Sequence, residues 1–199
     1  LLYTRLRSGN VSDAFNGYIP LGALDEATNS ENMLYVDRMY YKFPLGSNFT
    51  VHLGPRARNT QMLGYTPTAY YQGSPYTLDV FGTALGTPGV WNARTGAGFG
   101  IEYESNAAPG QAKWHLAANY VTQWGHYSNP SFGGISNPSF GGIMTDNSSG
   151  NFTSQIAYGN KQWGLALGYR YGQCDASFKT GTEYAILSKG YGCYDDDYR

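Results

Sequence analysis

The sequence predicts an all-β protein of antiparallel strands, and among such folds it favours a transmembrane β-barrel. Segments of alternating large and small residues recur along the 199-residue chain. Their apolar sides carry tryptophan and tyrosine near the strand ends, and their opposite sides combine glycine and alanine with isolated charges. An aromatic girdle facing lipid and a polar face lining a lumen are typical of outer-membrane barrels. A soluble core would contain more valine, isoleucine and leucine.

The composition excludes several other classes of protein. The net charge is −1, so the chain has no basic footprint for nucleic acid. Aromatic residues make up 16% of the chain, whereas a disordered chain has few aromatics and a high net charge. No apolar run approaches the ~18 residues of a membrane-spanning helix, which excludes a helical membrane protein.

The first strands lie at the beginning of the chain. Residues 2–7 alternate leucine or threonine on one side with tyrosine and arginine on the other, a period-two pattern that predicts a strand. Residues 33–43 are also strand-like. In this segment Asp37 falls among apolar neighbours on one side, and Arg38 and Lys42 fall on the other. Its two sides therefore stay unassigned.

The later strands are more regular. Residues 49–53, 98–104 and 114–124 each alternate apolar or aromatic residues with small or polar ones. Residues 163–171 alternate over nine positions, with tryptophan, leucine and tyrosine on one side. They follow another alternating segment, and the intervening Gly-Asn-Lys at 159–161 predicts a tight hairpin turn whose residues adopt positive φ.

Short and long connections alternate along the chain. The turn at 159–161 is short, whereas residues 125–149 form a long polar stretch in which the eight residues 128–135 recur at once as 136–143. A surface loop accommodates such a duplication, whereas a strand would lose its register. Short turns at one end and long loops at the other are typical of bacterial outer-membrane barrels.

Residues 55–96 predict a long inserted loop that carries one short helix. Ser74 is suited to cap the start of this helix and Gly86 to end it. Such loops fold into the lumen of large barrels and narrow it, so Asp79 and Phe81 are candidate constriction residues. An external cap or a simple crossover is the alternative.

Charged and polar residues on the strands are the candidate pore-lining residues. In a barrel, basic side chains on one wall would face acidic side chains on another, and such charges set ion selectivity. Ion pairs that only stiffen the wall are the alternative. The candidates are Arg5, Arg7, Arg38, Lys42, His52, Arg56, Arg58, Glu102, Glu104, His115, Asn119 and Arg170.

The sequence offers little for catalysis or metal binding. Its three histidines form neither an HExxH motif nor an i/i+4 pair, and no GxSxG motif accompanies them. Glu102 and Glu104 lie on the same side of one strand and point in parallel, which disfavours a glycoside hydrolase that would grip a sugar between them. We therefore expect no enzyme activity, no cofactor and no metal site.

The two cysteines, Cys174 and Cys193, are too few for a disulfide-stapled mini-domain. Their spacing matches no zinc site. In an oxidising compartment they are a candidate disulfide, and two free thiols are the alternative.

Seven short segments carry a resemblance to a known family. They read LLYTRLRSGN at 1–10, YYKFPL at 40–45, LGPR at 53–56, LDVF at 78–81, GVW at 89–91, GAGFG at 96–100 and YRYGQC at 169–174. Taken in this order, they resemble the barrel of the cyanobacterial iron-uptake porins, which belong to the wider carbohydrate-selective porin group. The resemblance spans nearly the whole chain.

This resemblance implies an outer-membrane β-barrel of about sixteen strands that passes inorganic ions, iron among them, and small hydrophilic solutes by passive diffusion. It also implies outer-membrane lipid as a partner, assembly as a homotrimer, and attachment to the cell wall through an amino-terminal S-layer-homology domain. Nucleic acid is not an expected partner. That domain and the later strands are absent here, and the chain begins at Leu1 without a signal peptide. We therefore expect residues 1–199 to be one partial barrel domain, an internal fragment.

A secreted, soluble β-sandwich that binds carbohydrate is the alternative interpretation. In a sandwich the apolar faces of two sheets pack inward, and exposed tyrosine and tryptophan would stack on sugars. The two interpretations differ in where the bulky side chains face. If Phe99, Ile101, Trp163, Leu165 and Leu167 pack together in a sealed interior, the transport interpretation fails.

Overall fold

The computed structural model describes residues 1–10, 30–65, 89–91, 93–125, 143–144, 148–160 and 162–173. Within these ranges the chain forms seven β-strands and two short 3-10 turns. The strands are β1 (Leu2–Arg7), β2 (Tyr35–Leu45), β3 (Phe49–Arg58), β4 (Thr95–Glu104), β5 (Lys113–Thr122), β6 (Gly150–Gly159) and β7 (Gly164–Gly172). The 3-10 turns are Asn59–Gln61 and Gly89–Trp91. The predicted helix between Ser74 and Gly86 lies outside the described residues.

Each strand pairs with its neighbours in sequence, so the seven strands form one meander sheet in the order β1-β2-β3-β4-β5-β6-β7. All the pairings are antiparallel. Strands β1 and β7 are the edges of this sheet. The all-β, antiparallel class predicted from the alternation is therefore confirmed.

The connections alternate in length, as the sequence predicts. The shorter ones are residues 46–48, 105–112 and 160–163, and the longer ones are residues 8–34, 59–94 and 123–149. Because successive strands run in opposite directions, the shorter connections all lie at one end of the sheet and the longer ones at the other. We call these the short-turn end and the long-loop end.

The turn between β6 and β7 differs in its chemistry from the prediction. Neither Gly159 nor Asn160 adopts a positive φ, and Lys161 lies outside the described residues. Instead, the Asn160 side-chain oxygen accepts hydrogen bonds from the backbone N–H groups of Gln162 and Trp163, at 2.8 and 3.1 Å. An asparagine side chain that bonds to the backbone two residues on is a common way to close a turn.

A β-bulge in β2 explains why alternation could not assign the sides of this strand. Arg5 of β1 pairs with Arg38, but the next residue, Leu6, pairs with Val36, so that Asp37 has no partner on β1. One extra residue in a strand reverses the alternation beyond it. As a result, both Asp37 and Arg38 are buried on the same face of the sheet.

The two faces of the sheet differ in exposure. We call the face with the large apolar side chains the outer face. There, Phe99 and Ile101 of the central strand β4 are 46% and 40% exposed, and Leu165 and Leu167 of β7 are 75% and 73% exposed. Trp163, just before β7, is 53% exposed, so these side chains do not share a sealed interior. Other exposed residues of this face are Leu2, Leu6, Tyr41, Phe43, Leu45, Phe49, Leu53, Trp114, Leu116, Ile156, Tyr158, Tyr169 and Tyr171.

The opposite face, the inner face, is polar and mostly buried. A half-exposed sheet of a soluble protein shows the reverse arrangement, with apolar residues covered and polar residues in water. The buried polar residues of the inner face are Asp37, Arg38, His52, Glu102, His115, Asn119, Asn151, Thr153 and Gln155. A small apolar cluster lies among them, formed by Tyr40, Ala57, Met62 and Val121 with Tyr3 packed against it.

Gly54 tests the packing at a second bulge, in β3. Strand β3 gains one residue relative to β4 between Gly54 and Ala57, and a Cβ atom on Gly54 would overlap the backbone of Met39 and Tyr40. We expect Gly54→Ala to lower the free energy of unfolding by about 2 kcal/mol, because the backbone cannot move aside as a side chain can. Urea unfolding measures this loss.

Gly46 provides the matched control. It has φ +73 in the turn between β2 and β3, with no atom within 4 Å of a built Cβ. Gly46→Ala should therefore cost only the left-handed backbone penalty of about 1 kcal/mol. A Gly54→Ala protein as stable as the unsubstituted protein would contradict this account of the bulge.

Candidate functional site

The inner face gathers most of the predicted pore-lining residues. Arg56 and Arg58 follow the bulge in β3 and pair with residues of the opposite side, Arg56 with Met39 and Arg58 with Thr95, so the pairing does not place them on the inner face as predicted. The others share the inner face by alternation from their buried neighbours. They are Arg5 and Arg7 on β1, Arg38 and Lys42 on β2, His52 on β3, Glu102 and Glu104 on β4, His115 and Asn119 on β5, and Arg170 on β7.

One group of charges on the inner face surrounds Glu102, toward the short-turn end. One Glu102 carboxylate oxygen lies 3.2 Å from Nε2 of His52, and the other lies 3.7 Å from Nζ of Lys42. The backbone N–H of Gly64 donates to the same carboxylate at 3.2 Å. Glu102 is only 9% exposed, so the Gly64 N–H and the nearby charge of Lys42 offset part of the hydration that a buried carboxylate loses.

Glu104 lies one step closer to the short-turn end and is exposed. Its carboxylate pairs with Lys113 at 2.5 Å and lies 3.7 Å from Nδ1 of His115. Ion pairs on exposed side chains contribute little to stability. Both glutamates therefore lie beside basic side chains of other strands, as expected for ion pairs that only stiffen the wall.

A second group of charges surrounds Asp37 at the long-loop end. The Asp37 carboxylate contacts Arg5 at 2.5 Å, Arg38 at 2.7 Å and Arg7 at 3.5 Å. Arg56 donates from Nε to the backbone carbonyl of Asp37 at 3.2 Å. The bulge in β2 creates this cluster, because it directs Asp37 and Arg38 to the face on which Arg5 and Arg7 lie.

Two further arginines lie at the long-loop end. Arg94 comes just before β4, and Arg170 lies near the end of β7, beside the start of β6. Arg170 donates from Nε to the side-chain oxygen of Asn151 at 2.9 Å, and Arg94 donates to the Ser149 hydroxyl at 2.8 Å. Sequence reasoning missed Arg94. Alternation could have found it, because Arg94 lies two residues before the inner-face Gly96 and therefore falls on the same side of the chain.

The described ends of the long connection between β3 and β4 cover the inner face. We call residues 59–65 and 89–94 together the inner segment, of which residue 92 is not described. Asn119 donates from Nδ2 to the backbone carbonyls of Asn59 and Met62, at 3.1 and 3.2 Å. Gln155 donates from Nε2 to the carbonyl of Tyr65 at 2.7 Å. These bonds fix the segment across β5 and β6.

Aromatic residues extend these contacts along the inner segment. The Trp91 indole N–H donates to the side-chain oxygen of Gln155 at 2.7 Å. The Tyr65 ring stacks on His115 with centroids 4.9 Å apart, and its hydroxyl donates to the carbonyl of Asn160 at 3.3 Å. Burial raises the pKa of the Tyr65 hydroxyl above its usual value. Sequence reasoning also missed Gln155, although Gln155 alternates with the apolar residues Ile156 and Tyr158 and so falls on the polar side of this segment.

Small residues on the inner face make room for the segment. A Cβ atom on Gly100 would lie 3.0 Å from the sulfur of Met62, and one on Gly168 would lie 3.2 Å from the ring of Trp91. The glycine-rich run at 96–100 thus allows close packing of chain against chain. The predicted constriction residues Asp79 and Phe81, and the candidate disulfide Cys174 and Cys193, lie outside the described residues.

Taken together, the inner face offers carboxylates, guanidinium groups and amides beside a covering segment. Among the described residues, no group of three or more histidine, cysteine, aspartate or glutamate side chains is placed to hold a metal ion. No helix of the described ranges has the length and apolar character needed to cross a membrane. Comparisons with protein-family profiles, with curated proteins and with solved structures find no match.

Gln155 tests whether the inner segment depends on its hydrogen bonds. Gln155→Leu preserves most of the side-chain volume but leaves the carbonyls of Leu63 and Tyr65 and the indole N–H of Trp91 without this partner. Since each buried unpaired group costs about 1–3 kcal/mol, we expect the segment to detach and the protein to lose about 3 kcal/mol of stability. Protease cleavage within residues 59–94 measures the detachment.

The neighbouring residue supplies the control. Ser154 lies on the outer face of the same strand, so Ser154→Leu should leave cleavage within residues 59–94 unchanged. If both variants are cleaved at the rate of the unsubstituted protein, Gln155 does not anchor the segment.

Proposed function

We propose that the chain is part of an outer-membrane porin, which forms a passive, water-filled channel for inorganic ions and small hydrophilic solutes. The observation that carries this proposal is the inversion of the sheet. Large apolar side chains such as Leu165, Phe99 and Trp114 are exposed, while charged ones such as Arg38 and Glu102 are buried. In water, apolar exposure is unfavourable by about 25 cal/mol per Å². In a membrane, lipid solvates the same surface.

Aromatic residues of the outer face support a membrane boundary at the short-turn end. The rings of Trp114 and Tyr158 form a tilted pair with centroids 4.8 Å apart, and Trp163 meets Tyr158 edge-on at 5.7 Å. Phe49 of β3 and Tyr103 of β4 form a similar tilted pair at 5.0 Å. All of these residues lie next to the short connections. Tryptophan and tyrosine concentrate at the level of lipid headgroups, because their rings are apolar and their N–H and O–H groups are polar.

Closure of the sheet is part of this proposal. The outward edges of β1 and β7 carry backbone N–H and C=O groups, which hydrocarbon does not tolerate unpaired. We therefore propose that the seven strands belong to a closed barrel of about sixteen strands, completed by strands beyond those described. The inner segment would then lie in the lumen and narrow it.

The remaining features of the proposal come from the resemblance to the cyanobacterial iron-uptake porins. They are a location in the cell outer membrane, contact with outer-membrane lipid, a homotrimer, and attachment to the cell wall through an S-layer-homology domain. Iron is proposed as one of the inorganic ions on the same basis. The channel acts by diffusion, without catalysis.

The alternative interpretations have less support. A soluble sandwich needs a second sheet over the outer face, and the described ranges contribute a single sheet. A glycoside hydrolase needs a free carboxylate pair, whereas Glu102 contacts His52 and Lys42, and Glu104 contacts Lys113.

Phe99 tests whether the outer face contacts lipid. Phe99 lies near the middle of β4, so Phe99→Arg would place a charge near the centre of the hydrocarbon layer. We expect the free energy of unfolding in lipid vesicles to fall by about 3 kcal/mol, the depth-dependent cost of arginine on the lipid face of a barrel. Folding into vesicles, followed by urea titration, measures it.

Phe99→Leu is the control, because it keeps an apolar side chain at the same depth. It should lower stability by much less than Phe99→Arg. If the arginine variant is as stable as the unsubstituted protein, or stays soluble without detergent, the outer face does not contact lipid.

Conduction tests the channel directly. The full-length protein in a planar bilayer should show stepwise conductance. Glu102→Gln should shift the reversal potential in a potassium chloride gradient toward chloride, because it leaves the charge of Lys42 without its carboxylate. We expect the permeability ratio to change about two- to fivefold, since one partly screened charge contributes roughly 0.5–1 kcal/mol.

Glu104→Gln is the matched control, since Glu104 is exposed and closest to the short-turn end. Its effect on the reversal potential should be smaller. A silent bilayer in repeated insertions of the full-length protein would contradict the channel.

A further inference from the structure

We propose that Arg38 forms a binding site for a small oxyanion, phosphate or sulfate, at the long-loop end of the inner face. The site consists of the Arg38 side chain and the charged residues around it on β1, β2 and β3. Its role in transport rests on the proposed channel, but the binding itself does not.

The Arg38 side chain is nearly fully buried, with 1% of its surface exposed. Its Nη1 atom is satisfied, since it lies 2.7 Å from the Asp37 carboxylate and donates to the Asp37 carbonyl at 2.9 Å. Its Nε and Nη2 atoms are buried and have no hydrogen-bond partner. A buried donor without a partner is costly, and one on a guanidinium group especially so. A hydrogen-bond acceptor bound at these two donors would therefore stabilise the folded protein.

The two unpartnered atoms determine which acceptor fits. The N–H groups on Nε and Nη2 of a guanidinium lie side by side and point in the same direction, so they bind two oxygens of one oxyanion at once. Phosphate and sulfate offer such oxygen pairs. Chloride offers a single atom and cannot use both donors equally well.

The surroundings of Arg38 favour negative charge. Asp37 contacts Arg5 and Arg7 as well as Arg38, so one carboxylate is shared among three guanidinium groups. Arg58 lies within electrostatic range of Arg38, as does Arg5. Because Arg38 is removed from water, these charges act on it with little screening.

The position of the site suggests its use. Long loops of outer-membrane barrels lie on the extracellular side, so the site lies near the outer mouth of the proposed channel. An oxyanion would bind there before it passes the Glu102 group, which lies toward the opposite end. Arg38 would thus concentrate oxyanions at the entrance.

Phosphate binding to the full-length protein in detergent, measured by titration calorimetry, tests the site. We expect phosphate and sulfate to bind, and chloride at equal ionic strength to bind far more weakly. Arg38→Lys keeps the charge but removes the paired donors, so it should weaken phosphate binding about tenfold or more. Lys113→Gln, which removes one positive charge at the short-turn end, should leave phosphate binding unchanged.

A second measurement needs no variant. Phosphate should raise the urea midpoint of the unsubstituted protein, since a ligand that binds the folded state stabilises it, and chloride should not. Phosphate binding that is equally strong in Arg38→Lys, or no stabilisation of the unsubstituted protein by phosphate, would overturn the site. Bilayer recording separates this result from the channel. A protein that conducts but does not bind phosphate contradicts the site alone, and one that binds phosphate but never conducts contradicts the channel alone.

Discussion

The hydrogen bonds from Asn119 and Gln155 to the backbone of residues 59–65 are the interaction on which the arrangement of the sheet depends. A chain segment that leaves the sheet and crosses its polar face carries backbone groups that need partners. Amide side chains on the inner face supply them, and the covering segment in turn removes the inner face from water. The polar face is thereby buried, while the large side chains of the apolar face stay exposed.

Close approach of the inner segment requires small residues beneath it. Gly100 leaves room for the Met62 side chain, and Gly168 leaves room for the Trp91 ring. The bulges in β2 and β3 contribute in a different way, since each adds one residue and redirects the side chains that follow. In β2 the added residue is Asp37, and its carboxylate becomes the common partner of three arginines.

Charge on the inner face is separated along the strands. Arginines meet at the long-loop end around Asp37, whereas the two glutamates of β4 meet lysine and histidine toward the short-turn end. In the proposed channel, this arrangement would produce an electric field along the channel axis as well as across it. The field along the axis arises because the long-loop ends of β1, β2 and β3 lie side by side, which brings their arginines together at one end of the sheet.

Alternation along the chain predicts the strands, their antiparallel pairing and the division between an apolar and a polar face, because strand periodicity is a local property. It also identified most charged residues of the inner face. The tertiary structure alone decided the rest. The side of Asp37 depends on a bulge, which is a property of the pairing of two strands. The role of Gln155 depends on a segment about ninety residues earlier in the chain. Such contacts leave no periodic signal, since they join residues that only folding brings together.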